Sequence, residues 1–115
     1  MGFNMTTKAG NAANVLILVT DTTLLNPTTG RAVITFASLH EQTGAEETLE
    51  LFVSTDASSA AGERIDKLVF PADETQSPTS LAGLSIPSGS YLIGKGTTGS
   101  LVKADLTYTQ YTGSS

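Results

Sequence analysis

The residues that most restrict the fold of this chain lie between Glu47 and Thr55. In this stretch Leu49, Leu51 and Val53 recur at every second position. A period of two places alternate side chains on one face of a β-strand, whereas a helix would spread these three around its cylinder. Burying each aliphatic side chain contributes roughly 2 kcal/mol. The segment is therefore predicted to be a strand with one buried face.

The segment before it, Arg31–His40, is apolar on both faces of an extended chain: Val33, Ala37 and Leu39 lie on one face, and Ala32, Ile34 and Phe36 on the other. A strand covered on both faces is expected near the middle of a packed sheet. Because the short polar stretch Gln42–Glu46 joins the two segments, Gly30–Thr55 is predicted to form the core hairpin.

Other extended segments are separated by turn residues. Pro27 and Gly30 mark one turn, and the two prolines of Pro71–Thr79 exclude an interior strand there. A connection of that length fits a crossover between two sheets. The remaining predicted strands are Asn14–Asp21, Leu24–Leu25, Ile65–Phe70, Ser80–Ile86, Ser90–Ile93 and Leu101–Tyr111. We therefore predict an all-β, single-domain antiparallel β-sandwich, jelly-roll-like, with seven or eight strands.

The length of 115 residues suits one domain. Residues 1–13 are small and polar without periodicity and are predicted to form an extended, flexible N-terminal arm. The sandwich is expected to span residues 14–111, and residues 112–115 to be a frayed C-terminus. The predicted core consists of Leu16, Leu18, Ile34, Phe36, Leu49, Leu51, Val53, Val102, Leu106 and Tyr108.

Charge and composition exclude several classes of partner. Eleven acidic and six basic residues give a net charge of −5, which disfavours nucleic acid and anionic membranes. The absence of cysteine excludes disulfides and thiolate metal sites. The longest apolar stretch, Val15–Val19, is far shorter than a membrane span, and the N-terminus has no apolar signal-peptide core.

No set of residues forms a recognisable catalytic or metal site. His40 is the only histidine, and no serine lies on an activating turn that could serve as its nucleophile. The stretch Gly89–Gly96 resembles a phosphate-binding loop but has Gly96 where that motif needs Ser or Thr. The carboxylates lack the ligand spacing of a calcium loop. The sequence thus predicts a protein that is not an enzyme, with no cofactor and no metal.

Two aromatic residues lie on the polar faces of their strands. Phe52 is opposite the apolar face of its strand, and Tyr111 is opposite the Val102–Tyr108 face. Such an aromatic side chain either packs under a loop or anchors a subunit contact. Together with the Pro71–Thr79 loop, this gives the predicted interface residues: Phe52, Tyr111, Pro71, Asp73, Glu74 and Pro78.

Residues 14–111 resemble the small β-sandwich accessory proteins of tailed-bacteriophage virions, of the capsid decoration or cement type. The segments that carry the resemblance are GRAVITFASLHEQTGAEETLELFV, LSIPSGSYLIGKG and SLVKADLTYTQY. The polar N-terminal arm is also similar to arms that reach a neighbouring subunit.

The resemblance implies a non-enzymatic structural protein that cements the outer capsid surface. It implies a homotrimer that binds the major capsid protein, is located in the virion and is made in the host cytoplasm. One alternative is a tail or neck adaptor of the same fold. Another is a carbohydrate-binding β-sandwich that uses Tyr91, Tyr108 or Tyr111 as a platform.

Overall fold

The computed structural model describes residues 4–98 and 102–114, and they form two packed antiparallel sheets with one short 3-10 turn at Ser59–Ala61. The predicted all-β sandwich is confirmed. Nine strands are present in this part of the chain: β1 (Asn4–Ile17), β2 (Thr22–Leu25), β3 (Arg31–Glu41), β4 (Glu47–Ser54), β5 (Glu63–Phe70), β6 (Thr75–Gln76), β7 (Ser85–Pro87), β8 (Tyr91–Gly96) and β9 (Val102–Ser114).

The strand order is that of a jelly roll. Sheet A has the order β1-β9-β3, with β6 and β7 both pairing with the far side of β3, and sheet B has the order β2-β8-β4-β5. The chain changes sheet between most successive strands. The first strand of sheet A, β1, and the first strand of sheet B, β2, lie at the same side of the sandwich. Since β3 and β4 lie in opposite sheets, the predicted core hairpin is wrong.

A buried carboxylate holds the crossing between β3 and β4. Glu41 is fully buried, and its side chain accepts hydrogen bonds from the backbone N–H groups of Thr43 (2.9 Å), Gly44 (2.7 Å) and Asp73 (3.1 Å). Burial alone would raise the pKa of Glu41, but these amides and the Thr43 hydroxyl lower it to about 2. The connection therefore turns around a fixed negative charge and crosses to the other sheet.

The core lies between the sheets and includes most of the predicted residues. Ile34, Leu49, Leu51, Val102 and Leu106 are buried, and Val53 and Tyr108 are partly buried against them. Further buried apolar residues come from both sheets: Ile17, Leu24, Leu25, Ala32, Ala37, Leu39, Phe70, Leu81, Ile86, Leu92 and Ala104.

Phe36, Leu16 and Leu18 were expected in the core and are not in it. The pairing of β3 with β9 shifts register between Ile34 and Phe36, and this bulge turns Phe36 outward, where it is 56% exposed. A second bulge, between Ala12 and Val15 of β1, places Ile17 instead of Leu16 on the inner face. Leu18 follows the end of β1 and is 41% exposed.

The N-terminal segment differs from the flexible arm that the sequence suggested. The backbone of residues 4–12 pairs with β9, so that Asn4 lies opposite Ser114 and Ala12 opposite Leu106. Residues 112–114 belong to the same ladder instead of being frayed. Main-chain pairing with a strongly patterned partner strand needs no apolar periodicity in β1 itself. Residues 1–3, 99–101 and 115 lie outside the described residues.

The segment between β5 and β8 contains less strand than expected. Most of the predicted strand Ser80–Ile86 is turn, with hydrogen bonds from the Leu81 amide to the Pro78 carbonyl (3.2 Å) and from the Leu84 amide to the Leu81 carbonyl (3.1 Å). Only Ser85–Pro87 pairs with β3.

Candidate docking surfaces

The outer face of sheet A carries an exposed phenylalanine. The next row on one side of it contains Asp105, opposite Ser38, and the next row on the other side is uncharged. Phe36 lies opposite Thr107 of β9, and Val33 lies opposite Thr109 on the same face. On the other side of β9, Asn11 and Ala9 of β1 occupy the same two rows. We call this surface the Phe36 patch: Ala9, Asn11, Val33, Phe36, Thr107 and Thr109. The six patch residues are uncharged and offer an apolar anchor, as the centres of protein-docking sites do, and Asp105 borders them in the next row.

The outer face of sheet B is charged. Glu50 of β4 lies between Lys67 of β5 and Lys95 of β8 in the strand register. Its carboxylate also forms an ion pair with Arg64, with 2.8 Å between Glu50 Oε2 and Arg64 Nη1. This face presents a solvated network of both charge signs.

Phe52, the first predicted contact residue, lies on this charged face and is half-buried. Its cross-strand neighbour Ile93 is fully buried although it lies on the outer side of the sheet. Adjacent side chains on one face of a sheet pack together. Phe52 is therefore placed to cover Ile93, which makes it part of the structure of sheet B, and its role in a subunit contact stays a prediction.

Tyr111 lies on the outer face of sheet A, beside the Phe36 patch. It pairs with Thr7 of β1 and Arg31 of β3, one row beyond Thr109, and it is half-buried. Of the six predicted contact residues it is the one that shares a face with Phe36.

The remaining predicted contact residues belong to the loop that follows β5. Pro71 and Asp73 are exposed, Glu74 is half-buried and Pro78 is buried. The loop is held in place because the Glu74 carbonyl accepts a hydrogen bond from the Glu41 amide (2.9 Å), and Asp73, at a φ of 59°, donates to the Glu41 carboxylate. Pro78 offers no contact area to a partner.

A cleft of about 340 Å³ opens at the side of the sandwich where β1 and β2 lie. Tyr108 and Gln110 of β9 line one wall and Leu25 and Pro27 the other. The Tyr108 ring lies across Gly10, where a Cβ atom would collide with it. Tyr108 therefore faces the interior, Tyr111 the outer face of sheet A, and Tyr91 belongs to sheet B, so the three tyrosines do not form a common platform.

His40 lies on the outer face of sheet A at the end of β3. Its Nδ1 is 2.6 Å from the Thr75 hydroxyl, and the neighbouring Glu41 is buried on the opposite face. Among residues 4–98 and 102–114, no cluster of three or more His, Cys, Asp or Glu side chains could hold a metal ion. No helix within those ranges is long and apolar enough to cross a membrane.

Phe36 is a surface residue that the sequence pattern did not predict. Apolar residues on both faces of Arg31–His40 fit either a doubly covered strand or a strand with a bulge, and the Thr35 side chain that marks the bulge has no distinctive signature. In the structure its hydroxyl donates to the Thr107 carbonyl (3.0 Å).

Comparison with known proteins supports the fold. No protein-family model and no curated protein matches the chain. A chain of the Bacillus endospore appendages, which form a novel family of disulfide-linked pili, superposes with a TM-score of 0.52 at 12% identity, over 96% of this chain and 88% of its own length. At 12% identity this similarity establishes a shared fold and nothing about function.

Two further similarities are weaker. A chain of the T13 particle of IBDV gives a TM-score of 0.40 at 12% identity, over 92% of this chain and 31% of the viral one. The Yersinia pseudotuberculosis-derived mitogen gives 0.29 at 17% identity, over 93% and 85% of the two chains. Neither value establishes a common topology.

Proposed function

We propose that this chain is a non-enzymatic structural subunit that docks on the outer surface of a tailed-phage capsid through the Phe36 patch. The mechanism is the added area buried between neighbouring capsomers, which stabilises the assembled shell by mass action. The occupant of the patch is the major capsid protein.

The observation that carries the proposal is the exposure of Phe36. Phe36 is 56% exposed and lies opposite Thr107, with Val33 and Thr109 in the next row. It therefore has a large apolar area available to a partner. Aromatic residues are enriched among the residues that dominate binding energy. The net charge of −5 keeps the free subunit soluble, while the patch contains no charge that binding would have to desolvate.

The fold supports a role in assembly. The endospore-appendage chain that shares the fold belongs to disulfide-linked pili, so one example of this architecture is a building block of an extracellular structure. Because the present chain has no cysteine, its own contacts would be non-covalent. The trimer that the sequence resemblance implies stays a prediction, which the native mass of the purified chain tests.

The test is binding to particles. Recombinant chain is mixed with phage capsids that lack it, and bound protein is measured after sedimentation. The wild-type chain is expected to co-sediment, and Phe36→Asp is expected to bind at least tenfold more weakly because the substitution places a charge in the docking area.

Val69→Asp is the matched control. Val69 is 52% exposed on β5 in the other sheet, so this variant gains the same charge outside the patch and is expected to bind like wild type. Equal binding by Phe36→Asp would reject the patch. Binding to separated tails and not to heads would favour the tail or neck adaptor, and absence of binding to either would reject the virion role.

A further inference from the structure

The two long edge strands of the sandwich differ in how they are protected. Among residues 4–98 and 102–114, β1 pairs only with β9 and ends sheet A, and β5 pairs only with β4 and ends sheet B. The free edge of a strand exposes unpaired main-chain N–H and C=O groups and accepts a further strand unless charges, prolines or a loop cover it.

β5 is covered. Four of its eight residues are charged, Glu63, Arg64, Asp66 and Lys67. The following segment adds hydrogen bonds, because the Gln76 amide donates to the Val69 carbonyl (2.7 Å) and the Ser80 hydroxyl donates to the Asp66 carboxylate (2.6 Å). Charge and side-chain contacts thus both oppose pairing at this edge.

β1 is not covered in the same way. Lys8 is the only charged residue in its fourteen-residue sequence, which contains no proline. Along residues 7–12, all of them described, the main chain makes no hydrogen bond beyond the ladder with β9. The outward-facing side chains, such as Ala9 and Asn11, are small and exposed. Within the described part of the chain, Lys8 is therefore the one charge along this stretch that opposes an approaching strand.

We infer that β1 pairs in antiparallel fashion with β1 of a second copy of this chain, which joins two copies of sheet A into one continuous sheet. A two-fold axis makes such a contact self-complementary and closes it after two subunits. The assembly unit is therefore a dimer, where the sequence resemblance implied a trimer.

The charge distribution favours a second copy as the partner. Two chains of charge −5 repel each other least where acidic residues are absent. β1 has none, and its neighbour β9 has Asp105 together with Lys103. Pairing through β5 would instead bring Glu63 and Asp66 toward the partner. A β1–β1 contact also places the partner strand beside the cleft that Ala12 and Tyr108 line, so the side of the sandwich with the open cleft becomes the subunit boundary.

The first test measures the native mass of the isolated full chain over a range of micromolar concentrations. The wild-type chain is expected to reach twice the monomer mass. The double variant Ala9→Lys/Asn11→Lys, which adds edge charge at exposed positions, is expected to dimerise at least tenfold more weakly. Val69→Lys, the same kind of change on β5, is expected to dimerise like wild type. Circular dichroism verifies that each variant is folded.

The second test locates the contact by amide hydrogen exchange. In a free edge strand alternate N–H groups have no partner, whereas pairing on both sides protects them. Exchange at residues 7–12 is expected to slow as the concentration rises through the dimer range, and exchange in β5 to stay constant.

A monomer at every concentration, a trimer, or a dimer whose β1 amides gain no protection would overturn the inference, as would a lysine double variant that dimerises normally. The inference rests on the proposed structural role, but these tests use the isolated chain without capsids. Failure to bind particles therefore leaves the dimer result unaffected, and failure to dimerise leaves the particle result unaffected.

Discussion

Among the residues that the structure describes, the outer face of each sheet carries one phenylalanine, and the two side chains lie in different surroundings. Phe36 on sheet A is 56% exposed among threonines, whereas Phe52 on sheet B is half-buried beside the fully buried Ile93 and close to the Glu50–Arg64 ion pair. Sheet B therefore covers more of its outer aromatic residue than sheet A does. Sheet A leaves its aromatic residue available to a partner.

The difference teaches that an aromatic residue on the polar side of a strand is not sufficient to identify a contact surface. Phe52 satisfied that pattern in the sequence, yet it is half-buried and lies opposite the fully buried Ile93. Phe36 became a surface residue through a one-residue bulge. The two residues differ in their local strand pairing, because a bulge changes the face of the sheet on which a side chain lies.

The largest effect is expected when a charge enters the space between the sheets. Leu51→Asp buries a carboxylate without a partner at a fully buried position, so we expect a loss of about 3 kcal/mol or more and failure to fold. Phe36→Asp makes a similar change on the outer face and is expected to stay folded. Thermal unfolding followed by circular dichroism compares them, and a folded Leu51→Asp variant would contradict the assigned inner face of sheet B.

The connection between the two sheets predicts a dependence on pH. Because hydrogen bonds lower the pKa of Glu41 from 4.5 to about 2, its contribution to stability is present above about pH 4.5 and is lost as the pH falls toward 2. Glu41→Gln is expected to lower the melting temperature at pH 7 and to flatten this part of the profile. The same pH dependence in wild type and variant would show that other carboxylates cause it.

The two phenylalanines can be compared directly by truncation. Phe52→Ala uncovers Ile93 and is expected to lower the free energy of unfolding by about 2 kcal/mol. Phe36→Ala is expected to change it by about 0.5 kcal/mol or less, since an exposed side chain loses little packing. Urea denaturation measures both values, and equal destabilisation would remove the distinction drawn between the two faces.

The smallest effect is expected from the ion pair on sheet B. Both partners are partly exposed, and exposed pairs contribute about 0.5 kcal/mol or less. The coupling energy from Glu50→Gln, Arg64→Gln and the double variant should fall within that range and decrease with added salt. A coupling well above it would mean that the charged face of sheet B stabilises the fold substantially.

The architecture was predictable where alternation was regular. Leu49, Leu51 and Val53 predicted the inner face of β4, and Val102 and Leu106 predicted that of β9. The same reasoning failed in β3, because a period of two holds only while the register is unbroken. Beyond the bulge at Thr35 the inward-facing and outward-facing positions of β3 exchange. Unbroken alternation from Ile34 therefore assigned Phe36 wrongly to the core. No local propensity distinguishes a bulged strand from one that is apolar on both faces.

The crossing after β3 and the extent of β1 could not be predicted for a different reason. The Glu41 side chain is stabilised by amides of two loops, one of them more than thirty residues away in the sequence, and nothing nearby marks this glutamate as buried. Residues 4–12 are held by main-chain hydrogen bonds that carry no side-chain signature. The exposed edge was accordingly interpreted as an arm.

The pairing of β1 with β9 has a consequence for how the molecule forms during synthesis. Of the nine strands described, β1 is synthesised first and its partner β9 last, so sheet A stays incomplete until β9 has been made. Contacts between residues so distant in sequence slow folding. We expect nascent chains to need protection from premature association until their last strand emerges.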